Sequence, residues 1–209
     1  MAAEARVPGH GVRAAHFSSA AILPSMRSQL LLTALAVSAA AWGQEIVLNP
    51  DPAHTNVRFT LPATLHTVHG SFKLTRGAIR FDPATGKISG EVAVDAASGA
   101  SGDDSRDRRM HKEILESAKY PEIVFTPDRV DGVVAPHGAS QIQVHGVFRI
   151  HGAAHEITLP VEVRIDNGQA SARTNFTIPY VKWGMRNPSS LFLRVGDKVE
   201  IEAATGALP

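Results

Sequence analysis

The chain contains no cysteine among its 209 residues. Disulfides, thiolate metal sites, iron–sulfur clusters and cysteine nucleophiles are therefore excluded, and the stability of the fold must come from packing. Aromatic residues make up only 6% of the chain, and the basic residues form no stripe. The sequence thus shows no sign of a nucleic-acid-binding surface. Its length still allows one domain with a core of its own.

An apolar segment near the N-terminus is the first clear pattern. From Met26 the sequence reads MRSQLLLTALAVSAAAWGQE, with Arg27 before an apolar run over residues 30–41. This layout predicts a secretory signal peptide that starts at Met26 and is cleaved after Gly43, because Ala41 and Gly43 supply the small residues that cleavage requires. Cleavage one to three residues earlier is an alternative. The run is shorter than the roughly 20 residues of a membrane-spanning helix. An extended leader or an organellar transit peptide over residues 1–25 remains an alternative.

The signal peptide predicts a domain division and a location. Residues 1–43 would be leader and signal peptide, and residues 44–209 would form the exported domain, periplasmic or extracellular. Cleavage removes three arginines and one glutamate, so 18 basic and 19 acidic side chains remain. The exported domain is therefore expected to be close to neutral. Because the apolar run is removed with the signal peptide, we also expect no membrane span in it.

Residues 44–209 alternate apolar and polar side chains almost throughout, which predicts an all-β fold. Asp166-Asn167-Gly168 predicts a tight hairpin, and residues 82–86 predict a turn. The pattern indicates about eight antiparallel strands that close into a barrel or a sandwich. The predicted strands cover residues 46–48 with 55–61, 68–74, 78–81, 88–94, 123–130, 141–150, 155–165, 170–178 and 198–203.

One segment breaks the alternation. Met110, Ile114 and Leu115 fall at helical spacing within residues 105–118, and Pro121 follows. We predict one short helix there, with Asp103 or Asp104 as its N-cap. Residues 132–139 are predicted to be a loop.

Three segments carry a resemblance to a known family. They are VHGSFKLTRGAIRFDP, SRDRRMHKEILESAKYPEIVFTP and YVKWGMRNPSSLFLRVGDKVEIE, at residues 68–83, 105–127 and 180–202. Within them stand Gly-x-Phe near the start, Arg-Asp opening the helix, Tyr-Pro-x-Ile-x-Phe, and the closing Val-Gly-Asp-x-Val-Glu-Ile. In this order, and over nearly all of residues 44–209, they resemble the YceI-like family.

The resemblance implies a lipocalin-like eight-stranded antiparallel barrel that binds a long isoprenoid, such as a polyprenyl chain or a quinone tail. No cofactor other than such a lipid is implied. The helix departs from the family pattern, which often reads Arg-Asp-x-His, because His111 stands two places late. The segment at residues 182–188 matches loosely, so ligand contacts there are not carried over.

Most candidate ligand-binding residues follow from strand parity, because alternate side chains face the barrel interior. Tyr180 and Trp183 have two interpretations, as aromatic residues of a core or barrel plug and as a wall for a ligand ring. The residues predicted to contact ligand are Phe59, Leu61, Phe81, Val94, Met110, Ile114, Phe125, Phe148, Phe176, Tyr180, Trp183, Leu191 and Leu193. Val57, Ile79, Val92, Ile123, Val147 and Ile178 are further inward candidates.

The start of the helix is a candidate mouth of the barrel. There Arg106, Asp107 and His111 are predicted to meet a ligand headgroup. The alternative for Arg106 and Asp107 is an ion pair and helix cap that ties the helix to the barrel.

Chemical alternatives are weaker. His66-x-x-His69 and His151-x-x-x-His155 have the spacing of metal ligands, but no HExxH motif or completing carboxylate accompanies them. No Gly-x-Ser-x-Gly motif is present. The acidic side chains near the helix favour a solvated face with i,i+4 pairs such as Asp107 with His111 over an acid/base dyad.

The sequence therefore favours an exported, non-enzymatic carrier of an isoprenoid lipid, with a homodimer left open. A pocket-using isomerase or hydrolase on the same barrel is the first alternative. A ligand-free stress or structural protein with a filled core is the second.

Overall fold

The structure is a computed structural model and describes residues 45–205. The predicted signal peptide and its cleavage site lie outside the described residues. Nine strands, one α-helix and one π-helical turn make up the described part of the chain. The strands are β1 (Ile46–Leu48), β2 (Asn56–Leu61), β3 (Val68–Asp82), β4 (Lys87–Ala100), β5 (Glu122–Asp131), β6 (Gly138–Ile150), β7 (Ala153–Asp166), β8 (Gln169–Ile178) and β9 (Val199–Thr205).

Eight of these strands close into an antiparallel barrel. The hydrogen-bonded order runs β3-β2-β9-β8-β7-β6-β5-β4, and pairing between β3 and β4 closes the circle. β1 is a short addition that pairs with the end of β3, where Ile46 opposes Phe81. β2 pairs with the start of the same edge of β3, where Val57 opposes Phe72. β1 and β2 are therefore two pieces of one interrupted strand, as the sequence predicted.

The predicted all-β barrel with a short helix is confirmed, with one difference in the strands. Residues 68–74 and 78–81, predicted as two strands, form the single strand β3. Register shifts against β4 occur between Ser71 and Lys73 and between Leu74 and Arg76. These bulges disturb the alternation without ending the strand, which is why the pattern looked interrupted.

The helix is shorter than predicted. α1 (Asp104–Arg109) is followed by the π-helical turn Met110–Ile114. Asp103 is the N-cap, and its side chain accepts hydrogen bonds from the backbone N–H groups of Ser105 and Arg106. The helix does not reach residue 118, because Glu116 takes a positive φ of 47°. A residue in the left-handed region ends a helix.

Tight turns join β7 to β8, where the sequence predicted one, and β6 to β7. Asn167 and Gly168 adopt φ values of 50° and 77° between β7 and β8. His151 and Gly152 adopt 52° and 74° between β6 and β7. Two consecutive positive φ angles match the twist of antiparallel strands.

The connections divide between the two ends of the barrel. Residues 62–67, 101–121, 151–152 and 179–198 lie at one end, which we call the helix end. The β3–β4, β5–β6 and β7–β8 turns lie at the far end. Within residues 45–205 no helix is long and apolar enough to cross a membrane.

Candidate ligand-binding cavity

An apolar cavity of about 580 Å³ lies inside the barrel. All eight barrel strands contribute side chains to its lining, and so does β1. Strand parity explains the lining, because alternate residues point inward; on β6 these are Ile142, Val144, Phe148 and Ile150. A cavity of this volume lies within the range of roughly 300–1,000 Å³ that is typical of small-molecule sites.

Small inward side chains explain why the interior is not filled. An eight-stranded barrel is just wide enough to be filled by its own side chains or to hold one slender ligand. On β8 the inward positions are occupied by Ala170, Ala172 and Thr174, and on β9 by Ala203 and Thr205. The predicted ligand-binding residues are large, and these small ones are not among them. Their alternation with polar residues is visible in the sequence.

Most of the predicted ligand-binding residues line the cavity. Their contact with a ligand stays a prediction, but their position on the lumen is clear. They are Phe59, Leu61, Phe81, Val94, Met110, Ile114, Phe125, Phe148, Phe176, Tyr180 and Leu193. Of the further inward candidates, Val57, Ile79, Val92, Ile123 and Ile178 line it as well.

Three predicted residues lie elsewhere. Val147 precedes the inward-facing Phe148 on β6, so parity places it on the outer face. Leu191 is 89% exposed and points to solvent. Trp183 is absent from the lining; it stacks on His155 with the ring centroids 4.1 Å apart and also contacts Phe148.

A plug at the helix end is formed by residues 179–185. Tyr180 and Met185 are buried in the core, and the Tyr180 hydroxyl donates a 2.7 Å hydrogen bond to the carbonyl oxygen of Gly196. Burial, with a smaller contribution from Asp197, raises the pKa of Tyr180 to about 12. Trp183 packs against the same core. The geometry thus fits the plug interpretation for both aromatic residues.

His155 sits beneath this plug. Burial lowers its pKa, and its Nε2 atom has no hydrogen-bond partner among residues 45–205. The neutral ring is therefore favoured, stacked on the indole as an apolar surface.

The polar mouth of the cavity lies at the start of α1. Arg106 donates from Nε to the Ser101 hydroxyl over 2.7 Å and from Nη2 to the Ser101 carbonyl over 3.0 Å. The Asp107 carboxylate accepts from the backbone N–H and the hydroxyl of the same serine. Both residues thus tie α1 to the end of β4 through Ser101, although they form no direct ion pair and the cap is Asp103.

Arg106 also lines the cavity, whereas Asp107 and His111 do not. The guanidinium lies 3.4 Å from His66 Nε2, and no carboxylate within residues 45–205 is in ion-pair distance of it. Two of its five N–H donors have no partner in the described part of the chain. His66 was considered only as a metal ligand, and Ser101, Ser105 and Arg109 were not predicted; all four line the same mouth.

The expected Asp107–His111 pair is not formed. His111 Nε2 lies 2.9 Å from the carbonyl oxygen of Gly99, and the i,i+4 pair that does form joins Arg109 to Glu113. Asp107 is engaged by Ser101 instead. His111 therefore anchors the π-helical turn to β4 and does not face the lumen.

The Gly-x-Phe motif has a packing role beside the cavity. A Cβ atom on Gly70 would lie 2.3 Å from Cζ of Phe59 and 2.4 Å from the carbonyl oxygen of Ala100. The Phe59 and Phe72 rings meet with their centroids 5.4 Å apart. The glycine thus admits an aromatic pair to the lumen wall where β3 approaches the end of β4.

The described residues hold no group of three histidines, aspartates or glutamates placed to share a metal ion. His69 and Thr60 contact each other on the outer side of β2 and β3, while His66 faces the mouth. Polar side chains that face the lumen gather at the mouth, and Thr174 and Thr205 face it from β8 and β9.

A closed eight-stranded antiparallel barrel with an apolar lumen and a polar mouth defines the lipocalin-like class of barrel. The model of the YceI-like domain matches residues 48–207, and the chain belongs to that family. No curated protein sequence matches the chain significantly.

Solved structures agree on the fold. BcnA of Burkholderia cenocepacia superposes with a TM-score of 0.65 at 22% identity, over 76% of this chain and 99% of that one. A polyisoprenoid binding domain from Saccharophagus degradans, implicated in plant cell wall breakdown, superposes with a TM-score of 0.57 at 15% identity. That match covers 75% of this chain and 94% of the other.

Proposed function

We propose that this protein is an exported carrier that holds one isoprenoid lipid, with the tail in the barrel lumen and the headgroup at the helix end. The observation that carries the proposal is the apolar cavity of about 580 Å³ enclosed by the barrel. Family membership and the fold shared with the polyisoprenoid binding domain support the same class of ligand. The signal-peptide pattern before residue 44 supports export.

Burial of the tail supplies enough free energy without specific polar contacts. Each buried CH₂ contributes about 0.8 kcal/mol, so ten of them contribute about 8 kcal/mol. That free energy corresponds to a dissociation constant of about 1 μM before ordering costs. A slender apolar lumen is therefore sufficient for binding.

The two alternative functions find less support. A filled core, expected of a ligand-free structural protein, is at odds with the size of the cavity. A pocket-using enzyme needs convergent polar groups in contact with the reacting atoms. Apart from threonines such as Thr174, the polar side chains that face the lumen stand at its mouth, while its middle is lined by side chains such as Val57, Val144 and Phe176. We propose no catalytic activity.

Arg106 is proposed to contact the headgroup. It lines the mouth, it is held in place by Ser101, and it retains N–H donors without partners. Arg173 on β8 is the arginine control, because it lies between the inward-facing Ala172 and Thr174 and strand parity therefore places its exposed side chain on the outer face. If the headgroup lies at the helix end, Arg106→Gln weakens binding of a lipid with an anionic headgroup and Arg173→Gln does not. Unchanged binding by Arg106→Gln, or an equal loss in Arg173→Gln, would refute the headgroup contact.

Mass spectrometry tests the proposal directly. The full chain is expressed in an exporting host whose membranes contain isoprenoids, and the recovered protein is analysed as a native complex and after organic extraction. One lipid per protein supports the carrier and names the lipid class. An empty complex, together with no mass shift after addition of quinones or polyprenols, would refute it.

A further inference from the structure

A hairpin beside the cavity mouth ends in two exposed apolar side chains. Its backbone is closed by a 2.8 Å hydrogen bond between Ser190 N and Leu193 O, and Ser189 Oγ accepts one from Val195 N. Leu191 and Phe192 lie at the tip of this turn and are 89% and 85% exposed. Turn tips normally carry Gly, Pro, Asn, Asp or Ser, so two large apolar residues there are unusual.

The loop at residues 62–67 lies against this hairpin and adds a third such side chain. Ala63 forms a β-bridge with Val195, and Thr64 N donates a 2.9 Å hydrogen bond to Arg194 O. The next residue, Leu65, is 74% exposed. We call Leu65, Leu191 and Phe192 the apolar rim.

The apolar rim is continuous with the cavity. Ala63, Leu193 and Val195, from the same two segments, line the lumen at its mouth. The hairpin thus turns Leu193 toward the cavity and Leu191 and Phe192 toward solvent. Clustered exposed apolar side chains next to a binding cavity mark an interaction surface.

Charge differs between the two ends of the barrel. Residues 179–198, which include the hairpin, carry Lys182, Arg186, Arg194 and Lys198 against one acidic residue, Asp197. Residues 101–121 carry five basic and five acidic residues and add no net charge. The turns at the far end, residues 83–86, 132–137 and 167–168, carry no aspartate, glutamate, lysine or arginine. The connections at the rim end therefore carry a net positive charge, and those at the far end carry none.

We propose that the apolar rim docks onto the surface of an anionic lipid bilayer. Leu191 and Phe192 enter the boundary between headgroups and acyl chains, while the basic side chains of residues 179–198 meet the lipid phosphates. Docking in this orientation opens the mouth toward the bilayer, so a lipid tail passes between membrane and lumen without crossing water. This last step rests on the carrier function proposed above; the docking itself does not.

Vesicle co-sedimentation tests the docking. The full chain is expressed in an exporting host, the N-terminus of the recovered product is read by intact mass, and all variants are compared in that form. Vesicles of phosphatidylcholine are compared with vesicles that also contain phosphatidylglycerol. The Leu191→Ser/Phe192→Ser double variant removes the tip, and Val133→Ser is its control, since Val133 is 83% exposed in the β5–β6 loop at the far end.

The protein is expected to bind the anionic vesicles more tightly. The double variant should lower the partition coefficient at least tenfold, and Val133→Ser should leave it unchanged. Replacing Arg194 and Lys198 by glutamine should lower it about fivefold for each charge, since one basic residue near an anionic surface contributes about that factor.

Three results would overturn the proposal. They are no sedimentation of the unmodified protein, equal sedimentation of the double variant, and a dimer that the double variant abolishes in light scattering, because a second copy would then cover the rim. Native mass spectrometry on the same samples separates this proposal from the carrier function. A lipid-loaded protein that ignores vesicles refutes only the docking, and an empty protein that binds them refutes only the carrier.

Discussion

Ala203→Phe is the substitution that best tests whether the lumen is the binding site. Ala203 lines the cavity from β9, where it opposes Val57 on β2 and Thr174 on β8. The new ring adds six carbon atoms to the lumen and displaces a similar number of CH₂ groups of a bound tail. At about 0.8 kcal/mol each, the loss of binding free energy is about 5 kcal/mol, which corresponds to a dissociation constant larger by a factor of about 4,000.

The same substitution should leave the fold intact. A ring placed in an existing cavity buries apolar surface, whereas a ring forced into a filled core costs roughly 1–3 kcal/mol. Stability of the delipidated variant is measured by chemical denaturation, and affinity by titration with the lipid class found by mass spectrometry. Asn175→Phe is the control, because Asn175 is exposed on the outer face of β8 and opposes Glu202.

Unchanged affinity in a folded Ala203→Phe variant would show that the tail lies outside the lumen. A strongly destabilised variant, with Asn175→Phe unaffected, would show that β9 has no room on its inner side. Either result would refute the reasoning from the small residues.

Three further predictions concern the frame around the cavity. Gly70→Ala should cost roughly 1–3 kcal/mol in the free energy of unfolding, because its Cβ atom would collide with Phe59, whereas Gly196→Ala, with no atom nearer than 3.3 Å, should cost less in the same denaturation assay. Tyr180→Phe should cost about 1–2 kcal/mol by removing a buried hydrogen bond. Because the pKa of Tyr180 is raised to about 12, the hydroxyl contributes fully to the free energy of unfolding below the ordinary tyrosine pKa of about 10, and this contribution is lost as the pH rises through 12. If the phenylalanine variant lost the same stability at alkaline pH in a pH series of unfolding, this prediction would be contradicted. Hydrogen bonds from Ser105 and the α1 backbone lower the pKa of Asp103, so the ionised cap stabilises the fold above the ordinary carboxyl pKa and this stabilisation is lost as the pH falls through the lowered value. Asp103→Asn should keep the cap and remove that acid dependence of the free energy of unfolding.

Strand parity made the barrel wall predictable, and bulges limited the prediction. Phe59, Phe81 and Phe125 were placed on the lumen from alternation alone, and the structure puts them there. The same rule divided β3 into two, because the register shifts near Lys73 and Arg76 break the alternation while hydrogen bonding continues. The alternation of apolar and polar residues shows which face of the sheet each side chain occupies. Where a strand ends depends on its hydrogen-bonded pairing with the next strand.

The mouth was less predictable than the wall, because its residues come from irregular segments. Arg106 was identified from a motif, but His66 reaches the same mouth from a loop about 40 residues earlier in the chain. Leu191 and Leu193 were grouped as inward-facing, yet the tight turn between Ser190 and Leu193 sends only the second toward the lumen. Outside regular strands, turn hydrogen bonds set the direction of each side chain, and no periodicity encodes them.

The size of the cavity could not be predicted from the large apolar residues, because it depends on the small side chains between them. In a barrel of fixed strand number, the lumen is empty only where inward side chains are too short to meet across it. Phe148 and Phe176 fill the helix end, with their ring centroids 6.0 Å apart, while Ala170, Ala172 and Ala203 leave the neighbouring wall bare. An inward alanine within a Val/Ile/Phe pattern is therefore the sequence signal of a ligand-sized lumen. Its placement on two adjacent strands, β8 and β9, gathers the free volume on one side, where a single tail can lie.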